Sequence, residues 1–238
     1  MAGCRELARL PKAKALRSLN FKRTTPGSIV ASLFATSNRR KVLDPTHIAA
    51  SIPPIQRKAV FPNYKTHAFT LRLLPQALLA EPEFRFPDPP FHYVTRSQSP
   101  HRLNMSLARE IASDVHHSPF VRSKMTTKLK SAISLVVTRG ANVRSEGDGK
   151  PMIFFDEQDV GEKWLLQNWT YSVRLALPML RISYVELIPL LRDALNNVKA
   201  RGDAIEAAWA AGHPLPDDAR CIANRRHRSG ASKRHKQS

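Results

Sequence analysis

Apolar positions recur with two different periods along this chain, and the periods divide it into candidate strands and helices. Over residues 66–74, His67, Phe69, Leu71 and Leu73 alternate with Ala68, Thr70 and Arg72, the period of a half-buried strand. Trp169, Tyr171, Val173, Leu175 and Leu177 alternate in the same way with Thr170, Ser172, Arg174 and Ala176. Residues 91–95 form a shorter strand-like run. Helical spacing appears in four other places. Thr25 as a cap and Pro26 in the first turn lead into Ile29, Val30, Leu33 and Phe34, which share one helical face. Asn104 precedes Leu107, Ile111 and Val115, whose spacing predicts a helix over 104–115. Val121, Met125, Leu129, Ile133 and Val136 predict a longer one from about 119 to 138. Ser183 and Glu186 form a capping box at the head of a helix reaching about residue 201. Pro189 removes one backbone bond of that helix and is expected to bend it. Residues 203–212 add a short further helix, and 140–150 read as a loop. Residues 53–100 hold half of the 18 prolines, which excludes a long helix there.

Strands mixed with helices in this way indicate an α+β domain over roughly residues 16–202. A basic leader or arm, residues 1–15, precedes it. A basic extension, 203–238, follows it, and the stretch from Arg220 onward has no acid and the composition of a disordered tail. Charge sharpens the picture. The chain has 238 residues with 38 Lys and Arg against 19 Asp and Glu, a formal net charge of +19. Such an excess points to a polyanionic partner, because each phosphate neutralised by Lys or Arg releases counterions. No apolar run approaches the length of a membrane span, and no amphipathic basic stripe suggests a membrane surface. Cys4 and Cys221 stand near opposite ends and make neither a disulfide framework nor a metal knuckle. The first 43 residues carry ten Lys or Arg and one acid, Glu6. An Arg-rich, acid-poor opening of this kind is the composition of a mitochondrial transit peptide, and equally of an RNA-binding arm.

The stretch 119–138 is the most informative for function. Its polar faces carry Arg122, Lys124, Lys128 and Lys130, Arg139 lies just beyond it, and no acid occurs between Asp114 and Glu146. Surface helices normally interleave acids to gain i,i+4 pairs, so unrelieved cations here point to phosphate contact. The helix N-terminus adds its own attraction for phosphate near Arg122 and Lys124. His116-His117 beside Asp114 has no second cluster to complete a metal site and reads as a polar turn. Asp156, Glu157 and Asp159 read as an acidic loop rather than a magnesium site. Phe69 and Tyr171 read as core, and helices 104–115 and 119–138 as a weak match to a DNA-binding helix-turn-helix. No phosphate loop, nucleophile elbow or zinc motif is present, so neither a catalytic residue nor a protein-held cofactor or metal is expected.

Three segments resemble the protein subunit of bacterial-type ribonuclease P. Residues 19–34 (LNFKRTTPGSIVASLF) are similar to that family's opening arm and first helix. Residues 118–132 (SPFVRSKMTTKLKSA) are similar to its basic helix, with Arg122-Ser123-Lys124 where the family carries R-N-R. Residues 169–178 (WTYSVRLALP) and 182–192 (ISYVELIPLLR) resemble its last strand and the S-x-x-E-L helix behind it. The resemblance implies a small α/β sandwich, related to a ribosomal-protein fold, with helix 104–115 as an insertion. It implies a subunit that assists a catalytic RNA in trimming the 5′ leader of precursor tRNA. Arg122, Lys124, Lys128 and Lys130 would contact the catalytic RNA, and Phe34 would lie near the leader. The expectation is an RNA-binding, non-catalytic ribonucleoprotein subunit of the mitochondrial matrix, with RNA and ribonucleoprotein proteins as partners and no membrane. A structural protein of the mitochondrial ribosome is the alternative, and a protein-only nuclease the third reading.

Overall fold

The computed structural model describes residues 7, 10, 18–21, 24–29, 42–80, 102–110, 115–144 and 151–213. In chain order the strands are β1 (Ser18–Asn20), β2 (Asn63–Lys65), β3 (Phe69–Pro75), β4 (Arg102–Asn104), β5 (Ser106–Glu110), β6 (Ala141–Arg144), β7 (Met152–Phe155) and β8 (Trp169–Leu175). The helices are α1 (Pro54–Val60), α2 (Pro119–Arg139) and α3 (Tyr184–Ala210). The class is α+β, as the mixture of periods indicates.

The centre is a four-stranded sheet in the order β2-β3-β8-β5. β3 lies antiparallel to β2 and to β8, and β5 runs parallel to β8. A parallel neighbour needs a long crossover, and α2 supplies it. Alternation then sorts the side chains. Phe69, Leu71 and Leu73 of β3 stand beside Leu175, Val173 and Tyr171 of β8, all buried in one core with residues of α2 and α3. α3 approaches so closely that a Cβ on Gly202 would fall 2.8 Å from Leu73 Cδ2 and 2.4 Å from Leu166 Cδ1. Both predicted strands form, but His67 precedes the first, and Leu177 begins the 3-10 turn after the second and is exposed, so neither lies on the apolar face drawn for it.

The opposite face of the sheet carries Thr70, Arg72, Thr170, Ser172 and Arg174. It is partly sealed by the chain at 24–29. Ser106 Oγ lies 2.7 Å from Thr170 Oγ1 and donates to Thr25 Oγ1 at 3.0 Å, while Thr24 Oγ1 donates to the Met105 carbonyl. The helix expected from Thr25 therefore does not start there. Thr25 spends its hydroxyl on Ser106 instead of a cap, and Ser28 bridges to Ala80 as a strand would. Residues 30–41, with Phe34, lie outside the described residues, as do 91–95, most of the leader and the tail beyond 213.

Three further expectations are corrected. The helix drawn over 104–115 is β4 and β5 as far as Glu110. Three apolar residues four apart cannot outweigh the open edge of β8, where Ser106 and Glu110 find hydroxyl partners in Thr170 and Ser172. The loop drawn at 140–150 begins as β6, which pairs with β7 in a separate hairpin. The domain limit at residue 202 is crossed by α3, which runs unbroken through the separate helix expected at 203–212. Gly202 and Ile205 are buried, and Trp209 stacks on Trp169 at 5.4 Å with the rings 8° apart. Pro54 opens the short α1 inside the proline-rich region, at the one helical turn where proline costs no backbone bond. The capping of α3 is as read, with Ser183 Oγ accepting from the Glu186 amide.

The acidic loop has a structural duty. Asp159 accepts from Arg192 and pairs with Lys163 at 2.6 Å, and Arg192 also donates to the Ala141 carbonyl at 3.0 Å. Burial alone would raise the Asp159 pKa, but the hydrogen bonds and charges of Lys163 and Arg192 outweigh it and hold the carboxyl below its ordinary value. A depressed folded pKa gives stability that is complete above the unfolded value near 4 and is lost as pH falls through the folded one. Asp159→Asn is therefore expected to cost about 2 kcal/mol near neutrality. It should cost progressively less below about pH 4, read from urea midpoints along a pH series.

Candidate nucleic-acid interface

α2 is the predicted basic helix, and its boundaries agree with the sequence reading. Pro119 occupies its first turn, and Gly140 closes it in the left-handed conformation at φ 60°. Met125, Leu129, Ala132, Ile133 and Val136 are buried along one stripe. Its 21 residues span about 31 Å at the α-helical rise. The cations that looked equivalent in sequence have separate surroundings along this length.

Lys128 is turned inward. Its Nζ donates to the Ile182 carbonyl and to the Leu180 carbonyl at 3.3 Å, and it lies 5.8 Å from the Tyr184 ring. It thus ties α2 to the 3-10 turn Leu177–Leu180 and the start of α3, which is a packing role. Lys130 stands over Phe21, 5.5 Å from the ring, beside the end of β1. Arg139, in the last turn, lies 5.5 Å from the Phe155 ring at the hairpin. Lys124 is exposed and covers Phe120, which is itself 66% exposed, at 4.3 Å. Arg122 is half-buried in the first turns.

Arg122 has a neighbour that the sequence reading missed. Arg109, on β5, pairs in register with Val173 and so belongs to the helix-covered side of the sheet. At the edge strand it emerges beside the start of α2. Among the described residues, Arg109, Pro119, Arg122, Ser123 and Thr126 line an open cleft of about 320 Å³, and none of them is an acid. A helix N-terminus, two guanidinium groups from different elements and two hydroxyls converge there. The chain matches no family model, no curated protein and no solved structure. The alternation Met105, Leu107, Arg109 is the signal that would have placed Arg109 on a strand.

The other candidates are absorbed by the fold. His116 Nδ1 accepts the Ser118 amide at 3.0 Å, so it shapes the entry to α2 as a polar turn. Asp159 is ion-paired and Asp156 accepts the Gln158 amide, so the acidic trio does not converge on a common point. Among the described residues no cluster of His, Cys, Asp or Glu has a metal-holding arrangement, and no helix is long and apolar enough to cross a membrane. Phe69 and Tyr171 are core residues, each 1% exposed. Burial pushes the Tyr171 phenol up, so it stays neutral while its oxygen accepts the Leu166 amide at 2.8 Å.

What the cleft can do is bind a phosphate group. Guanidinium forks match phosphate oxygens, and the Ser123 hydroxyl and the helix start can add to the shell, while the Thr126 hydroxyl already donates to the Arg122 carbonyl at 3.0 Å. The exposed Lys124 extends the positive surface along the helix.

Proposed function

We propose that this protein is an RNA-binding, non-catalytic subunit of a ribonucleoprotein, anchored to the RNA backbone through the cleft between β5 and α2. The observation that carries the reading is the meeting of Arg109 and Arg122 with Ser123 and Thr126 in one cleft, with no acid among its described lining residues, in a chain of net charge +19. Two arginines brought to one cleft from different elements are well matched to phosphate.

The most concrete form of the proposal is a ribonuclease P-type subunit of the mitochondrial matrix that assists 5′ maturation of precursor tRNA. The chain order supports it. Strands β2 to β5, the basic helix α2, the strands β6 to β8 and the capped helix α3 follow one another, an order compatible with the resemblance apart from the hairpin β6–β7. β5 now stands where an inserted helix had separated the two halves of that likeness. In this reading Arg122 and Lys124 meet the RNA, while Lys128 holds the helix in place. The protein would supply position and charge, and the RNA and its metal the chemistry.

Ultraviolet crosslinking of the full chain in cells, followed by sequencing of the attached RNA, tests this. Enrichment of precursor tRNA and a ribonuclease P RNA is expected. Enrichment of ribosomal RNA would transfer the protein to the mitochondrial ribosome, the alternative set out above. Absence of any enriched RNA would overturn the reading as a whole.

A further inference from the structure

The hairpin of β6 and β7 presents a second surface that the phosphate cleft does not use. Its register places Ala141 opposite Phe155, Asn142 opposite Phe154, Val143 opposite Ile153 and Arg144 opposite Met152. Alternation divides these pairs between two faces. Val143, Ile153 and Phe155 pack against the core, so one face is turned inward. Asn142, Arg144, Met152 and Phe154 share the other. Met152 is 70% exposed, and the Arg144 guanidinium carbon lies 5.0 Å from the centre of the Phe154 ring.

We infer that this outer face is a stacking site for an unpaired nucleobase of the bound RNA. An aromatic ring offers a π-face that any base can use, and an arginine beside it adds a flat cation for base or phosphate. Met152 supplies a polarisable apolar wall next to it. Charge complementarity selects the occupant. An apolar protein surface would have to bury the Arg144 charge, whereas a single-stranded polyanion satisfies both the ring and the guanidinium. The hairpin is also firmly seated, as a stacking platform must be. Gly161 N donates to the Val137 carbonyl at 2.8 Å, Asp156 N donates to the Gly140 carbonyl at 3.2 Å, and Arg192 holds the Ala141 carbonyl. The site sits at the C-terminal end of α2, at the other end of the helix from the phosphate cleft. The bound RNA would then be gripped by its backbone at one end and by a base at the other.

The inference rests on the RNA reading, and one experiment separates the two. The purified full chain is titrated with a short end-labelled oligouridylate and with the same oligomer built on abasic sugars. Wild type should prefer the base-bearing oligomer. Phe154→Ala should weaken oligouridylate binding roughly tenfold, the scale of one stacked base, leave the abasic oligomer unaffected and keep the wild-type melting temperature. Phe154→Trp should restore the affinity, and Met152→Lys, at an exposed position, should lower it without unfolding the chain. Equal affinity of wild type for both oligomers, or an unaltered Phe154→Ala variant, overturns the stacking site while leaving the backbone grip intact. Failure of wild type to bind either oligomer in dilute buffer overturns the RNA reading itself. Concentration-dependent self-association that Met152→Lys abolishes, with oligouridylate binding unchanged, would make the face a protein contact and overturn the inference.

Discussion

Gly140→Val is expected to lose at least about 3 kcal/mol of stability, seen as a melting temperature about 10 °C lower. Gly140 ends α2 at φ 60°, a conformation that a β-branched residue adopts only under strain. Conformation is the smaller part of the cost. A Cβ at this position would stand 2.0 Å from the Asp156 carbonyl oxygen and 2.9 Å from that of Asp159. Both obstacles are backbone atoms, so no side chain can swing aside. Asp156 N donates to the Gly140 carbonyl and Gly161 N to that of Val137, which means the obstructing loop is itself pinned to the helix end. Relief requires the chain from 156 to 161 to move outward, and with it the contacts of Asp159 to Arg192 and Lys163. Gly140→Ala should show the same effect at somewhat lower cost. Equal melting temperatures for wild type and Gly140→Val would refute the close seating of this loop on α2.

Trp169→Ala should be nearly as severe, with a loss of about 3–5 kcal/mol. Trp169 is 2% exposed and closes the start of β8. Its ring stacks on Trp209 and meets Phe61 edge-on at 6.2 Å, 79° from parallel. Its Nε1 donates to Glu206 Oε1 at 2.7 Å. One residue thereby ties the sheet to α1 and to the last turns of α3. Removal leaves a cavity and takes the partner from Glu206, so the segment beyond Gly202 should lose amide protection before the rest of the helix. Hydrogen exchange of residues 203–210, with wild type as reference, reads this directly. Protection that stays at the wild-type level would show that those turns are held by something other than the tryptophan stack.

The parts of the fold that were legible in the sequence are those in which one periodic signal decides. β8 alternates over its seven residues and β3 over its first five, and α2 carries a long apolar stripe between a proline and a glycine. Each of these can be read without knowing its neighbours. β5 could not be read in this way. Its five residues suit either a helix or a strand, and the free edge of β8, more than sixty residues later in the chain, decides between them. The end of α3 was hidden for a related reason. Gly202 looks like a helix terminator, yet here its missing side chain lets the helix lie against Leu73 and Leu166.

The site divides along the same line. A count of cations along a helix finds Arg122 and Lys124, but it cannot distinguish them from Lys128, whose ammonium group is taken by carbonyls fifty residues away in sequence. Nor can it find Arg109, which joins Arg122 only through the parallel crossover. The hairpin was missed because a short loop rich in Gly, Glu and Asp dominates the reading of residues 140–150 and masks the alternation of β6.

Binding of the full chain to single-stranded RNA across a salt series tests the central claim most directly. Each backbone phosphate contact contributes about 0.7 to the slope of log K against log salt for a single strand. The Arg109→Gln, Arg122→Gln double variant should bind more weakly and lose roughly 1.4 of that slope, while Lys128→Met, with its ammonium already committed to carbonyls, should keep the wild-type slope. A double variant whose slope equals that of wild type, or a slope that falls only with Lys128→Met, would contradict the assignment of the phosphate grip to the β5–α2 cleft.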